Sequence, residues 1–195
     1  MNVLSIDIGI TNMAFIFAHV DENYNLKEII SCKKVNICVC NHKKNCKLNH
    51  KNFHRLSGRI RHFIDSHEEF KKADIIICEK QPPCGLIIVE ELLLFNFPDM
   101  YLVSPNAMHA YYDINSYEYE KRKEITVSIS EKKLNKFDSF RKNERKHDMA
   151  DSYCLLKYWL STTGKKLLEK RQLDEWREKN TDLIVQFETF KYNGD

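Results

Sequence analysis

One aspartate inside an apolar run constrains this chain more than any other feature. The run Val3 to Ile8 is apolar except at Ser5 and Asp7, and it ends in a turn at Gly9 and Thr11-Asn12. This pattern predicts a buried strand that carries a carboxylate near its end. Because burial of an unpaired charge costs several kcal/mol, Asp7 requires a neutralising partner, and a divalent cation is a natural one.

A second acid ends another apolar run. Glu79 follows Ile75 to Cys78, and two prolines come shortly after it, at Pro82 and Pro83. Proline removes a backbone donor from a sheet, so the strand must end near Glu79. The sequence therefore predicts two strands that each deliver one carboxylate near an end.

A pair of aspartates completes the set. Asp148 and Asp151 lie three residues apart at the start of the segment Met149 to Leu160, whose apolar spacing is helical. Residues three apart share a helix face, so both carboxylates point to one side of the first turn. Together the four carboxylates can form a hard-oxygen metal site.

Simpler interpretations of the same residues stay open. Asp148 alone is typical of an acid that complements the helix dipole, and Asp151 of a surface charge. The pattern Asp-x-Gly-x-Thr-Asn that begins at Asp7 also occurs as a phosphate loop in sugar kinases and actin-like ATPases. A chain of 195 residues does not easily house the two lobes of those ATPases, and its sequence contains no second glycine-rich phosphate loop. The order strand-Asp, strand-Glu, helix Asp-x-x-Asp favours a nuclease.

These motifs together resemble one family. The chain resembles the RuvC-like Holliday junction resolvases of the ribonuclease H-like superfamily, in particular the branch carried by poxviruses and other large cytoplasmic DNA viruses. The resemblance covers residues 1 to about 160 with one insertion. The matching stretches are Ser5 to Ala14, Ile76 to Pro83, Val103 to Asn106, Lys121 to Lys123 and Lys146 to Leu155.

The resemblance implies a fold and an activity. The fold is α/β, with a ribonuclease H-like mixed five-stranded sheet flanked by helices. The activity is that of an endonuclease that binds four-way DNA as a homodimer and nicks two opposed strands with Mg²⁺, leaving 5′-phosphate and 3′-hydroxyl ends. Two ions, for which Mn²⁺ can substitute, would lie about 4 Å apart. Asp7 would bridge both ions, Glu79 and Asp151 would hold one each, and Asp148 would complete the set.

The resemblance also points to basic residues near the cleaved phosphate. Lys121 and Lys123 are the family-guided candidates, and Lys123 is taken as the catalytic one because a cation there stabilises charge in the transition state. The other interpretation is a solvent-facing helical charge run.

The distribution of charge supports nucleic acid as the partner more than the net charge of +3 does. Between Ile29 and Ile64 there are nine Lys or Arg residues and no Asp or Glu; between Glu120 and Lys146 ten basic residues face five acids. Two basic blocks thus flank the acidic centre, as phosphate neutralisation would require, although solvated faces are the alternative. The candidate DNA contacts are Lys51, Arg55, Arg59, Lys121, Arg122 and Lys146.

A cysteine-rich insertion at about residues 32–50 has two interpretations. Cys32, Cys40, Cys46 and His50 have a spacing that can hold one structural zinc, with Cys38 and His42 as alternative ligands. A basic loop with incidental thiols is the other interpretation, and the family resemblance does not supply these ligands. Seven irregularly spaced cysteines suggest a reducing compartment, so we expect a cytosolic protein, or a nuclear one if its DNA is there.

The remaining pattern indicates one α/β domain over residues 1–195. We expect strands at Val3 to Ile8, Met13 to Val20, Leu26 to Ile37, Ile75 to Glu79 and Met100 to Val103, and helices along Phe53 to Ile64, Leu86 to Phe95 and Met149 to Leu160. No apolar run approaches a membrane span, and no signal peptide is evident. An amphipathic segment with Leu173 and Trp176 can close the core or form a dimer interface.

Two other functions share these features. A different ribonuclease H-like nuclease could process RNA or flapped DNA with the same acids. A non-catalytic, zinc-containing nucleic-acid binder would keep the acids for structure.

Overall fold

A central five-stranded sheet organises the chain. The computed structural model describes residues 1–40 and 52–180. The strand order is β3-β2-β1-β4-β5, with β1 in the middle. The strands are β1 (Asn2–Asp7), β2 (Met13–Val20), β3 (Leu26–Val35), β4 (Ile75–Glu79) and β5 (Tyr101–Val103).

The sheet is mixed, because its middle strand has neighbours of both directions. β1 pairs antiparallel with β2, from Asn2 opposite His19 to Asp7 opposite Ala14. It pairs in parallel with β4, and β4 pairs in parallel with β5. The turn between β1 and β2 requires Gly9, since a Cβ there would lie 2.8 Å from the backbone carbonyl of Asn12.

Helices cover both faces of this sheet. They are α1 (Leu56–Ser66), α2 (Glu68–Lys72), α3 (Ile87–Asn96), α4 (Pro105–Tyr111), α5 (Tyr119–Leu134), α6 (Asp138–Arg141), α7 (Lys146–Trp159) and α8 (Lys165–Lys179). A π-helical turn at Leu160–Gly164 joins α7 to α8. Within the described ranges, no helix is long and apolar enough to cross a membrane.

Alternation along β1 directs its residues to two separate cores. Val3 packs in a cluster with α7 residues such as Cys154 and Trp159. Leu4 and Ile6 pack instead in the cluster built from α1 and α3. Successive strand residues point to opposite faces, so Asp7 lies on the α7 side with Val3.

The expected fold class is confirmed, with small shifts at the ends of elements. β3 ends at Val35 rather than at Ile37, and Phe53 precedes α1 rather than belonging to it. The helix expected from Met149 begins three residues earlier, at Lys146, so Asp148 lies in its first turn. Such differences arise because apolar periodicity locates the middle of an element better than its ends.

Candidate active site

Two carboxyl groups meet at one edge of the sheet. Asp7 ends β1 and Glu79 ends β4, and these strands are parallel neighbours in which Ile6 lies opposite Cys78. The carboxyl ends of both strands therefore reach the same edge, and the Asp7 and Glu79 carboxyls share a hydrogen bond. The two strand acids are thus placed together, as the sequence pattern predicts.

The loop after β4 holds Glu79 in place. The side-chain amide of Gln81 donates to Glu79 Oε2 at 3.0 Å, and Gln81 Oε1 accepts from the Leu86 amide at 3.1 Å. The backbone N–H of Gln81 donates to the buried carboxylate of Glu90 on α3. These hydrogen bonds connect Glu79 to the start of α3.

A third acid and one cation arrive from two helices. Asp151 on α7 accepts a short hydrogen bond from Lys123 Nζ on α5. Both side chains are largely enclosed, at 23% exposure for Lys123 and 11% for Asp151. Lys123 Nζ also lies 5.2 Å from the centre of the Tyr119 ring. The pair is therefore a partly buried ion pair beside the two strand acids.

The electrostatics of the site follow from this crowding. Burial raises the pKa of Asp7 well above its ordinary range, and the nearby Glu79 and Asp151 raise it further. Burial likewise raises the pKa of Glu79, with Asp151 adding to the shift. Burial alone would lower the pKa of Lys123, but attraction to Asp151 outweighs it and the pKa is raised. Three carboxyl groups that face one ammonium favour a bound proton or cation.

Asp148 does not join the other three acids. Arg145 Nε lies 3.2 Å from Asp148 Oδ2, and Arg145 Nη2 lies 3.4 Å from Oδ1. His147 Nε2 is also 3.3 Å from Oδ1. The negative charge of Asp148 is thus balanced by the neighbouring Arg145 guanidinium. The place of Asp148 in a metal site stays a prediction.

The donor chemistry of the site suits a hard divalent cation, although the side chains are not arranged around one. Across residues 1–40 and 52–180, no three His, Cys, Asp or Glu side chains have the mutual geometry that would hold a metal ion. Lys123 instead supplies the positive charge beside Asp151. A cation would be held by Asp7, Glu79 and Asp151, whose oxygens are the ligands that Mg²⁺ prefers.

A small cavity beside the acids contains a histidine that the sequence analysis does not predict. The cavity has a volume of about 130 Å³, and its lining includes Glu79, Asp151, Lys123, Arg122 and His109. Burial lowers the pKa of His109, and Arg122 lowers it further, which favours the neutral imidazole. His109 lies on α4 without any motif around it, and only the path of the chain after β5 brings it here.

The candidate DNA contacts fall into two groups. Arg122 lines the cavity and donates to the Tyr117 carbonyl at 2.7 Å, while Lys121 pairs with Glu124 at 2.9 Å on the exposed face of α5. Lys146 begins α7 and lines a second hollow together with Lys123. Arg122 and Lys146 are therefore both close to Lys123, whereas Lys121 faces solvent.

The second group lies at the start of α1. Arg59 donates to the Phe53 carbonyl at 3.1 Å and to Cys38 Sγ at 3.2 Å, so its guanidinium joins two loop segments. Arg55 is exposed and its Nε lies 3.4 Å from His54 Nε2. Lys51 lies outside the described residues, so the role predicted for this block stays a prediction.

The predicted zinc ligands are not all described. Cys32 lies in β3 with 2% exposure, inside the core on the α7 side, and burial raises the pKa of its thiol to about 12. Zinc binds the thiolate, so this position is unfavourable for a ligand. Cys40 is half-buried, whereas Cys46 and His50 lie outside the described residues. The complete quartet stays a prediction.

Solved structures share this fold, although sequence comparison finds no relatives. No family model matches the sequence, and no curated protein matches it. The fowlpox virus resolvase bound to substrate Holliday junction DNA gives a TM-score of 0.58 at 18% identity, covering 84% of this chain and 99% of that chain. The yeast mitochondrial Holliday junction resolvase gives 0.58 at 17% identity, covering 86% and 80%. Thermus thermophilus RuvC gives 0.52 at 14% identity, covering 84% and 98%. The ribonuclease H-like fold of the RuvC-like resolvases is therefore confirmed.

The raised pKa of Asp7 predicts how stability depends on pH. Because the folded state keeps a proton that the unfolded chain releases above its ordinary pKa of 3.8, stability falls as pH rises from there through the folded-state pKa. Asp7→Asn removes the buried charge and keeps a donor for Glu79. In metal-free buffer at pH 8 we expect this variant to be more stable than the parent by roughly 1 kcal/mol or more, as measured by urea unfolding.

The difference in unfolding free energy between Asp7→Asn and the parent should shrink at pH 5. Mg²⁺ should stabilise the parent more than the variant. Asp138→Asn, which alters an exposed carboxylate paired with Arg141 and Lys142, is the control and should not reproduce the gain at pH 8. Equal destabilisation of the Asp7 variant at both pH values would contradict the electrostatic account.

Proposed function

We propose that this chain is a Mg²⁺-dependent endonuclease that introduces paired, symmetric nicks into four-way DNA junctions. The observation that carries the proposal is the convergence of Asp7, Glu79 and Asp151 with Lys123, at the sheet edge of a fold shared with junction resolvases. Two solved neighbours support the substrate class, because the fowlpox enzyme is bound to Holliday junction DNA and the yeast protein is a Holliday junction resolvase.

The acids would bind the metal that such hydrolysis needs. Bound Mg²⁺ supplies water activation and charge stabilisation at the leaving oxygen, and Mn²⁺ can supply the same chemistry. Asp7 is the best placed to contact two ions, because it lies between Glu79 on the neighbouring strand and Asp151 on α7. Asp148 would take part after release from Arg145. The expected products carry 5′-phosphate and 3′-hydroxyl ends.

Lys123 would change partners during the reaction. Without a metal, its ammonium neutralises Asp151. With Asp151 engaged as a ligand of a bound cation, the Lys123 ammonium would be released from it and could stabilise negative charge that grows on the cleaved phosphate. The Tyr119 ring, 5.2 Å from the Lys123 ammonium, adds a cation–π contact that favours this position of the side chain.

The DNA backbone would lie along the basic residues around the acids. Arg122 lines the cavity of the acids, Lys146 lines the neighbouring hollow and Lys121 is exposed on α5, and cations at these positions would contact phosphates on both sides of the cut. Such contacts recognise the shape of the backbone rather than its sequence, which suits an enzyme that selects a branched structure.

Two symmetric nicks require two active sites, so we propose that the protein acts as a homodimer through α3. Phe95 is 85% exposed and Ile88 is 67% exposed, and their spacing of seven places them on one face of this helix. Large exposed apolar side chains of this kind are typical of interaction surfaces. α3 is also joined to the active site through Glu90 and Gln81.

Cleavage of a labelled four-way junction in Mg²⁺ tests the proposal. We expect paired nicks from the parent protein. Asp7→Asn and Asp151→Asn should still bind the junction but lose roughly two orders of magnitude or more in nicking rate, as typically follows the loss of one preorganised electrostatic group.

Parallel substrates separate the other functions. Preferential cleavage of flap DNA or RNA hybrids would indicate a different ribonuclease H-like nuclease. Metal-independent binding with no nicking of any substrate would indicate a non-catalytic nucleic-acid binder.

Replacement of Lys123 tests its role separately. Lys123→Met should reduce nicking about 100-fold, because the phosphate loses a preorganised cation, while junction affinity changes little. Single-turnover cleavage and gel-shift assays measure the two quantities. Lys132→Met, on an exposed position of the same helix, is the control and should match the parent. An equal loss of binding and nicking in Lys123→Met would indicate a general DNA contact instead.

A charge on α3 tests the dimer. Phe95→Asp should weaken self-association at least about 30-fold, as expected when one central apolar contact worth about 2 kcal/mol is lost. Sedimentation equilibrium measures the change. Leu173→Asp places the same charge on an exposed apolar position of α8 and should leave the dimer intact. If Leu173→Asp weakens self-association and Phe95→Asp does not, the interface lies on α8 instead of α3.

A further inference from the structure

One buried hydroxyl group, on Ser152, links α7 to strands β1 and β2. Ser152 is fully buried, and its Oγ accepts from the Asp7 amide at 3.1 Å. The same Oγ donates to the Ala14 carbonyl at 3.0 Å. Ala14 is the residue paired with Asp7 across the β1–β2 ladder. The Ser152 side chain therefore forms hydrogen bonds with both strands at the point where Asp7 and Ala14 are paired.

A second hydroxyl reinforces the same junction from the sheet side. Ser5, also fully buried, donates from its Oγ to the Ser152 carbonyl at 2.9 Å. Ser5 and Asp7 are two residues apart and lie on the same face of β1. Three hydrogen bonds thus connect β1 and β2 with one residue of α7.

This use of a helical serine differs from that of its neighbours on α5. Ser130 Oγ donates to the Val127 carbonyl at 3.0 Å, and Thr126 Oγ1 donates to the Lys123 carbonyl at 3.1 Å. Such bonds within a helix are the common arrangement for buried Ser and Thr. The Ser152 hydroxyl instead donates across to the sheet, so it determines where the helix lies.

The link controls the distance between two acids. Ser152 directly follows Asp151, while its hydroxyl holds the backbone amide of Asp7. Movement of α7 relative to β1 would separate these carboxylates, and each bond in the link opposes that movement. Hydrogen-bonded groups behind metal ligands are known to tune metal affinity in this way.

We propose that Ser152 is a positioning residue, which sets the separation of Asp7 and Asp151 and thereby the affinity of the site for a divalent cation. This inference rests on the proposed function only in taking these two carboxylates as the metal ligands. The Ser152 hydroxyl would thus affect the metal dependence of cleavage through the placement of two ligands, without contacting metal or DNA itself.

The test compares Ser152→Ala with Ser130→Ala, which removes a hydroxyl of equal burial whose bond stays within one helix. Mg²⁺ binding to the protein without DNA, measured by calorimetry, should weaken at least about tenfold in Ser152→Ala and remain unchanged in Ser130→Ala. Hydrogen exchange of the Asp7 amide should accelerate in Ser152→Ala alone. Junction affinity in the presence of a chelator should equal that of the parent.

A second variant keeps the test decisive if Ser152→Ala does not fold. Ser5→Ala removes the bond to the Ser152 carbonyl and should weaken Mg²⁺ binding in the same direction, by a smaller factor of about threefold. Unchanged Mg²⁺ affinity in both variants, or an equal loss in Ser130→Ala, would overturn the inference. If the parent protein binds Mg²⁺ but does not nick junctions, the proposed function fails while the comparison of metal affinities still decides the role of Ser152.

Discussion

The crowding of carboxyl groups at the ends of β1 and β4 is the constraint on which the site depends. Asp7 and Glu79 are brought together by the parallel pairing of their strands, and Asp151 approaches from α7. Their mutual repulsion in a buried place raises the pKa of Asp7 and of Glu79, and the ammonium of Lys123 offsets part of it. The same excess of negative charge favours the binding of a cation, so the feature that opposes folding would serve the proposed metal binding.

Much of this arrangement can be predicted from the sequence, because it depends on local patterns. An acid inside an apolar run identifies Asp7 as a strand residue, and the prolines after Glu79 mark where its strand ends. The helical spacing after Asp148 correctly predicts α7. Each of these predictions uses only side-chain periodicity and turn chemistry, which act over a few residues.

The rest depends on contacts between segments far apart in the chain. Spacing within α7 suggests that Asp151 acts together with Asp148, yet Asp151 pairs with Lys123 on α5, a partner that no local pattern indicates. His109 reaches the cavity only because α4 follows β5 back across the sheet. Cys32 and Cys40 have a spacing that could hold a zinc ion, but strand pairing places Cys32 in the core. Such outcomes depend on tertiary packing, which local patterns do not encode.

The two antiparallel ladders of the sheet differ in how regular their pairing is. Pairing between β1 and β2 runs without interruption from Asn2 to Asp7, whereas the pairing of β2 with β3 shifts register twice, near Phe17 and near His19. A slip of one residue in the first ladder would turn Asp7 toward the opposite core. The two shifts lie in the ladder on the far side of β2 from β1, so they leave the orientation of Asp7 unchanged.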